Sequence, residues 1–266
     1  MKFCKYQALG NDFILIDNRQ QQLILTPKQI SFLCDRHFGI GADGLMLVEN
    51  CDEADFKMQF FNSDGSWSTM CGNGARSIVA FAHRLGIFTD KVTFLSGAGK
   101  HFGEILSQTE NSLDIKVKIT DVDNITRGDG YYFLNTGVPH CVVFVDNIDN
   151  VNINTEGKNW RHSPLFPDGA NVNFVEVCDS NKLKIATFER GVEAETLACG
   201  TGATAAAIAT FDKLQNNTID FEIQAKGGKL RISFDVDKSQ KDSFTNIWLQ
   251  GSATFVFEGT ISLSRF

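Results

Sequence analysis

One short motif occurs twice in this chain, and each copy stands directly before a helix-forming run. Residues 70–76 read MCGNGAR and residues 198–204 read ACGTGAT, so Gly-X-Gly-Ala follows Cys71 in one copy and Cys199 in the other. Two cysteines in matching contexts predict a duplicated half-domain. We therefore expect two halves of similar design, with both cysteines directed at one site.

The segments around the two motifs match in order. In each half, a series of strands, a strand ending in Phe and a polar link precede the cysteine, and a helix and further strands follow it. The strand ending at Phe61 precedes the first cysteine, and that ending at Phe188 precedes the second. A polar stretch at residues 120–129 marks the boundary. The predicted halves are residues 1–120 and residues 121–256.

The helix after the second motif is unusual in its composition. Its alanine-rich sequence, Gly200–Leu214, leaves almost no polar face, and a helix that is apolar all round is buried on all sides. In a strand-rich chain, this predicts a barrel or curved sheet wrapped around the helix. The counterpart at residues 72–85 carries Arg76, His83 and Arg84. We therefore expect it to be buried over much of its length and exposed to solvent at its C-terminal end.

A third helix is predicted to begin with Thr26 as N-cap, Pro27 at its first position and Gln29 at its third. It is expected to run towards His37 and to stop at Gly39. The rest of the chain reads as short strands separated by Gly, Asn and Asp. Two of these strands are predicted near the end of the chain, at residues 246–250 and 254–257.

Charge and cysteine content exclude several classes of function. The formal net charge of −7 offers no basic surface, so nucleic acid and anionic membrane are not expected partners. The first residues contain no apolar signal region, and we expect a cytoplasmic protein. The seven cysteines are odd in number and form no CxxC. This argues against a disulfide framework and a zinc site, and no metal is predicted.

A cysteine at a helix start lies where the helix dipole favours negative charge. One thiolate and one thiol facing the same carbon could remove a proton from one face and return a proton to the other. Backbone N–H groups at Gly72–Asn73 and Gly200–Thr201 would hold a carboxylate and stabilise the enediolate that forms. No strong pyridoxal-phosphate or flavin signature is visible, so the protein itself must stabilise the carbanion.

Three other interpretations fit parts of this pattern. Cys-Gly-X-Gly at a helix start can bind phosphate, with the cysteine as a small residue only. A thiol redox protein would need the CxxC motif that is missing here. A duplicated barrel could also be a binding module without turnover. Polar residues at strand ends argue against such a module. They are Asn11, Asn62, Asn73, Asn171, Glu189 and Arg190. Each Asn alone, however, is typical of a turn.

The chain resembles the diaminopimelate epimerase family over essentially its whole length. The motifs that carry the resemblance are GNDF at residues 10–13, GIGADG at 39–44, FNSDG at 61–65, MCGNGAR at 70–76, PHCV at 139–142, NVNF at 171–174, ERG at 189–191 and ETLACGTG at 195–202. The resemblance implies a cofactor-independent, two-base interconversion of LL- and meso-diaminopimelate, a step towards lysine and peptidoglycan precursors. It also implies a homodimer of two pseudo-symmetric barrel-like halves, each around a central helix, an α+β fold. The final strand, about residues 257–266, would return to the first half.

The same resemblance implies roles for individual residues. Cys71 and Cys199 are similar to the acid/base pair, and His140 and Glu189 to the auxiliary catalytic residues. For His140, a buried imidazole that ties two loops together is an equal alternative. The reacting carboxylate would be held by Gly72, Asn73, Gly200 and Thr201. The other substrate contacts would be Asn11, Asn62, Asn171, Glu189 and Arg190, and the planar fork of Arg190 suits a distal carboxylate.

Three positions depart from the family pattern. Val138 stands where the family commonly has Asn before Pro-His, and Gly44 stands where some members have Gln. Phe257 replaces a Tyr associated with the dimer contact. The nearest alternative within the fold is an enzyme similar to proline or hydroxyproline racemase. Such an enzyme would need a pocket for a small ring and no distal Arg.

Overall fold

Two compact units make up the chain, and each contains one copy of the repeated motif. The computed structural model describes residues 1–237, 239–240 and 242–263. Unit 1 comprises Met1–Val117 and the chain from Gly251 onward, and unit 2 comprises Lys118–Gln250. Strands predominate in both units, and one long buried helix lies in each. The predicted α+β class, with strand-rich halves around a central helix, is confirmed.

The elements follow one another in the same order in the two units. The first series is β1 (Lys2–Ala8), β2 (Asn11–Asp17), α1 (Pro27–Cys34), β3 (Gly44–Glu49), β4 (Phe56–Asn62), β5 (Trp67–Ser68), α2 (Gly72–Arg84), β6 (Lys91–Ser96), β7 (Gly99–Gln108) and β8 (Ser112–Lys118). The second is β9 (Ile125–Arg127), β10 (Tyr132–Asn135), β11 (Pro139–Phe144), α3 (Ile153–Arg161), β12 (Asn171–Asp179), β13 (Lys182–Glu189), β14 (Ala194–Thr196), α4 (Gly200–Leu214), β15 (Asp220–Ala225), β16 (Gly228–Val236) and β17 (Phe244–Thr260). A short 3₁₀ turn, Ile148–Asn150, precedes α3.

Strand pairing in unit 1 forms a closed ring. β1 and β2 are antiparallel, β2 and β3 parallel, β3 and β4 antiparallel, and β4 and β6 parallel. β6, β7 and β8 then continue antiparallel. The second part of β17 closes the ring, because it pairs with both β8 and β1. Helix α2 contacts β1, β2 and β3 and is buried from Gly72 to Ala82.

Unit 2 repeats this pattern of pairing strand for strand. β10 and β11 are antiparallel, β11 and β12 parallel, β12 and β13 antiparallel, β13 and β15 parallel, and β15 to β17 antiparallel. Ahead of β9, Val122 bridges to Phe244 at the start of β17. Helix α4 contacts strands on several sides. The parallel pairs need crossover connections, and helices α1 to α4 supply them.

Helix α4 has the predicted bounds, and its buried polar groups are satisfied within the helix. Residues Gly202–Thr210 are all buried. The hydroxyl of Thr204 donates to Gly200 O over 3.1 Å, and that of Thr210 donates to Ala206 O over 2.7 Å. These bonds offset the cost of burying two hydroxyl groups among alanines. In α2, His83 is half-buried and Arg84 is exposed. The C-terminal end of α2 is therefore exposed to solvent, as predicted.

Some predicted boundaries were wrong. Helix α1 has the expected capping box, but it ends at Cys34 and not at Gly39. The carboxylate of Asp35 accepts hydrogen bonds of 2.7 Å from the backbone N–H groups of His37 and Phe38, and these bonds form a turn in place of another helical turn. Helix α3 was not predicted, and its N-cap is Asn152.

The two strands predicted at residues 246–250 and 254–257 are one continuous strand, β17. Its second part pairs with β1 as far as Thr260. Residues 264–266 of the predicted final strand lie outside the described residues. Within the part of the chain that the structure describes, no helix is both long enough and apolar enough to cross a membrane.

Candidate active site

One cluster of predicted site residues, in unit 1, surrounds Cys71, the N-cap residue of α2. Its backbone is extended, with φ −146° and ψ 129°, and its carbonyl accepts the first helical hydrogen bond from the N–H of Ala75 over 2.7 Å. Its side chain makes no capping bond, so the thiol is not used to complete the helix. The buried residues Gly72 and Asn73 form the first turn beside it. The positive end of the helix dipole therefore lies at this thiol.

Asn11 lies against the thiol of Cys71. The Sγ atom of Cys71 is 3.6 Å from Asn11 Oδ1, and Asn73 Nδ2 donates to the same oxygen over 3.4 Å. The amide nitrogen of Asn11 donates to Asp43 Oδ2 over 2.7 Å, and Arg36 donates to Asp43 Oδ1 over 2.8 Å. Because Asp43 takes up the NH₂ group, the carbonyl oxygen of Asn11 faces the thiol.

Asp12, the neighbour of Asn11, fixes the turn between β1 and β2 through two ion pairs. Its carboxylate forms ion pairs with Lys5 over 2.5 Å and with Arg36 over 2.7 Å. Burial alone would raise the pKa of Asp12, but the hydrogen bonds from Arg36 and Lys5 outweigh it and hold that pKa below the usual value. These fixed charges hold the turn between β1 and β2 in place, and Asn11 with it.

Arg76 is a buried cation that the sequence analysis did not place in the site. Its guanidinium donates to Gly72 O over 3.2 Å and to Asn73 Oδ1 over 2.7 Å, and the side chain is fully buried. Burial lowers the pKa of Arg76 to about 10, while the charges of a Cys71 thiolate and of Asp114 act in the opposite direction. Thr204 occupies the matching position of the second motif, so the second motif has no cation at this position.

Asn62 lies opposite Gly44 of β3, the residue after Asp43. It ends β4, is exposed, and donates from Nδ2 to Ser66 Oγ over 3.0 Å. The structure thus brings Asn11, Cys71, Gly72 and Asn73 together at one end of α2. Asn62 is held by the adjacent turn.

A second cluster of predicted site residues, in unit 2, surrounds Cys199, the N-cap residue of α4. Its backbone is extended, its carbonyl accepts from the N–H of Ala203 over 2.9 Å, and its side chain makes no capping bond. The hydroxyl oxygen of Thr201 lies 3.4 Å from its Sγ atom. Gly200 and Thr201 form the first turn of α4, as Gly72 and Asn73 do in α2.

His140 contacts Thr201 and not the sulfur. Its Nε2 lies 2.9 Å from Thr201 Oγ1, and its Nδ1 accepts a hydrogen bond of 3.0 Å from Asn173 Nδ2. Burial, with a smaller contribution from the charge of Arg190, lowers the pKa of His140 to about 3. The imidazole is therefore neutral at physiological pH.

Asn171, Glu189 and Arg190 lie together at the ends of β12 and β13. The backbone N–H of Arg190 donates to Asn171 Oδ1 over 2.8 Å, and Arg190 Nη1 donates to Asp168 O over 3.1 Å. The Arg190 side chain is exposed, and this hydrogen bond goes to a backbone carbonyl and not to a carboxylate. Its planar fork can therefore receive a carboxylate from outside the chain.

Asn173 was not among the predicted site residues. It sits two positions after Asn171 on β12, so the two side chains share one face of the strand. A polar residue in the apolar run from Val172 to Val175 was the available signal. Asn173 is fully buried and hydrogen-bonded on both sides of its amide.

Solved structures share this fold at low sequence identity. A phenazine biosynthesis protein of the PhzF family from Bacillus anthracis matches with a TM-score of 0.76 and 16% identity, over 99% of each chain. A probable proline racemase from Agrobacterium radiobacter K84 matches with a TM-score of 0.71 and 12% identity, over 100% of this chain and 94% of that chain.

The sequence itself matches one family over nearly its whole length. A sequence model of diaminopimelate epimerase matches residues 3–124 and 132–256. The diaminopimelate epimerase of Flavobacterium psychrophilum is 50% identical over 98% of this chain and 100% of its own length. That of Chlorobaculum tepidum is 42% identical over 96% of this chain and 98% of its own length. The chain therefore belongs to the diaminopimelate epimerase family.

Proposed function

We propose that this enzyme interconverts LL- and meso-diaminopimelate without a cofactor, with Cys71 and Cys199 as its acid and base. The reaction is assigned from membership of the family. It is an isomerisation that belongs to lysine and peptidoglycan precursor biosynthesis. The observation that supports the cysteines is their shared placement. Each is the N-cap of the buried helix of its unit, and neither uses its side chain as a cap.

The proposed reaction needs two proton transfers at one α-carbon. A thiolate takes the α-proton, so that the C–H bond breaks, an S–H bond forms and the electron pair passes into the carboxylate as an enediolate. The other thiol then gives its proton to the opposite face. Backbone N–H groups at the two helix starts, Gly72–Asn73 and Gly200–Thr201, would bind the carboxylate and stabilise the enediolate.

The rest of the substrate would be held by the polar residues at the strand ends. Arg190 supplies an exposed guanidinium whose hydrogen bond goes to the backbone carbonyl of Asp168, which suits the distal carboxylate of diaminopimelate. Asn11, Asn62, Asn171 and Glu189 would complete the contacts. This set favours a long substrate with a charged group at each end over a small cyclic amino acid, which has no second carboxylate for Arg190.

Incubation of the purified protein with each substrate tests this assignment. We expect LL-diaminopimelate to reach equilibrium with the meso form without any added cofactor, and at the same rate after dialysis against a chelator. L-Proline and trans-4-hydroxy-L-proline should remain unchanged at the same enzyme concentration. Chiral chromatography measures all three. Racemisation of proline without turnover of diaminopimelate would assign the chain to the alternative activity.

We further propose that the enzyme is a cytoplasmic homodimer whose ligand is a small molecule, with neither nucleic acid nor membrane as partner. The family resemblance supports the dimer, and the net charge of −7 argues against anionic partners. Phe257, at the position of the family's dimer-contact Tyr, is partly exposed and packs edge-to-face on Phe3 at 6.0 Å between ring centroids.

A further inference from the structure

We propose that Asn173 is a positioning residue for Cys199. It holds His140 in the tautomer that carries its proton on Nε2, and thereby directs the hydroxyl proton of Thr201 towards the sulfur of Cys199. The inference rests on the proposed function only in giving Cys199 an acid–base role. All the contacts that carry it lie within unit 2.

A backbone carbonyl fixes the orientation of the Asn173 amide. Nδ2 of Asn173 is 3.0 Å from the carbonyl oxygen of Cys141, which can only accept a hydrogen bond. On the other side, the hydroxyl of Thr187 donates to Asn173 Oδ1 over 3.0 Å. A reversed amide would place two oxygens 3.0 Å apart. The NH₂ group therefore faces Cys141 O and, with its second proton, Nδ1 of His140.

This contact fixes the tautomer of His140. Because Nδ1 accepts from Asn173, it carries no proton, and the single proton of the neutral imidazole is on Nε2. Nε2 lies 2.9 Å from Thr201 Oγ1 and donates to it. Burial has the largest effect on the pKa of His140 and opposes a second proton on the ring; the hydrogen bond with Asn173 acts in the opposite direction, and the charge of Arg190 adds to the effect of burial.

The hydroxyl of Thr201 connects the His140 ring to the sulfur of Cys199. It accepts from His140, so its own proton is available for Cys199 Sγ, 3.4 Å away. Thr136 donates to the backbone oxygen of Thr201 over 2.9 Å and holds that residue in place. A hydrogen bond donated to sulfur favours the thiolate over the thiol. Cys71, in contrast, faces the carbonyl oxygen of Asn11, which only accepts.

The tautomer can be observed directly in the wild-type protein without substrate. In ¹⁵N-histidine-labelled protein at pH 7, we expect the His140 ring to show a protonated Nε2 and an unprotonated Nδ1. The spectrum of His140→Gln, which lacks this ring, assigns the signal among the five histidines. A His140 proton on Nδ1 overturns the proposal.

A matched pair of substitutions at Thr201 tests the step to the sulfur. Thr201→Val removes the hydroxyl at nearly constant volume, whereas Thr201→Ser keeps it. The pH dependence of alkylation by iodoacetamide, followed by peptide mapping, gives the apparent pKa of Cys199. We expect this pKa to rise by about one pH unit in Thr201→Val. It should stay near the wild-type value in Thr201→Ser. An unchanged value in Thr201→Val contradicts the proposal.

Asn173→Asp tests the positioning residue itself. A carboxylate accepts where the amide donates, so we expect the proton of His140 to move to Nδ1 and the apparent pKa of Cys199 to rise as in Thr201→Val. A variant that keeps both wild-type values excludes the role of Asn173. If this variant does not fold, the wild-type spectrum and the Thr201 pair still decide. None of these measurements uses substrate, so they stand or fall separately from the epimerase assay.

Discussion

Cys71→Ser and Cys199→Ser should each reduce epimerisation by about a thousandfold or more and leave the fold intact. A serine hydroxyl is not ionised near neutral pH, so either variant lacks one of the two groups that inversion requires. Loss of structure is not expected, because each cysteine is an N-cap residue that makes no capping bond. Serine is a preferred N-cap and can add such a bond. Chiral chromatography of diaminopimelate measures the rate, and circular dichroism measures the fold.

Cys178→Ser is the matched control for these variants. Cys178 is exposed near the end of β12, and its thiol contacts Glu176. We expect wild-type activity. Substantial epimerisation by either Cys71→Ser or Cys199→Ser would refute the two-cysteine mechanism, and a comparable loss in Cys178→Ser would show that the effect is not specific to these two cysteines.

Gly202→Ala should damage the protein far more than Gly74→Ala, although the two glycines occupy the same position in the repeated motif. A Cβ atom on Gly202 would lie 2.3 Å from Asn173 Oδ1 and 3.2 Å from Thr187 Oγ1. Asn173 is held on both sides and cannot yield without losing hydrogen bonds. A Cβ atom on Gly74 would meet the terminal methyl group of Met46 at 3.0 Å, and a methionine side chain can move.

The expected sizes follow from these contacts. Replacing a helical glycine by alanine gains about 1 kcal/mol of helix propensity, and overpacking costs about 1–3 kcal/mol. We expect Gly74→Ala to melt close to the wild-type temperature and Gly202→Ala to melt several degrees lower. Displacement of Asn173 should also lower activity by roughly a hundredfold. Equal melting temperatures and activities in the two variants would contradict this account of Gly202.

The duplication in the sequence predicted more of the fold than its local signals did. It correctly indicated two strand-rich units, and the apolar run of α4 identified a helix enclosed by strands. The same duplication could have predicted α3, because the crossover between β11 and β12 corresponds to the crossover between β2 and β3 that α1 supplies. Local signals for α3 are weak, since only Gly157 is buried and its core-facing side carries just two large apolar residues, Ile153 and Trp160.

The predicted break in β17 shows another limit of local signals. Gly251 and Ser252 fall between the two predicted strands. They are instead paired with β8 in unit 1, where Gly251 lies opposite Ile115. Long-range pairing of this kind outweighs local propensity and cannot be seen in one sequence.

The candidate site was predictable where it depends on motifs and not where it depends on buried contacts. The resemblance to diaminopimelate epimerase is confirmed, and the residues named from it lie at the helix starts and strand ends. Arg76 and Asn173 were missed as site residues, because a polar residue in an apolar run gives no indication of what it contacts. Their roles follow from hydrogen bonds to residues distant in sequence, such as the bond between Asn173 and His140.

The isotopic composition of the first product formed in D₂O shows whether two separate bases act on opposite faces of the α-carbon. Wild-type enzyme is mixed with LL-diaminopimelate in D₂O, and both isomers are analysed by mass spectrometry at low conversion. If one cysteine removes the α-proton and the other donates from the opposite face, the meso product carries one deuterium at the inverted carbon while the remaining LL substrate is still protiated. A meso product that retains the original α-proton, or deuterium that enters the LL pool as fast as the product, would show that a single base serves both faces.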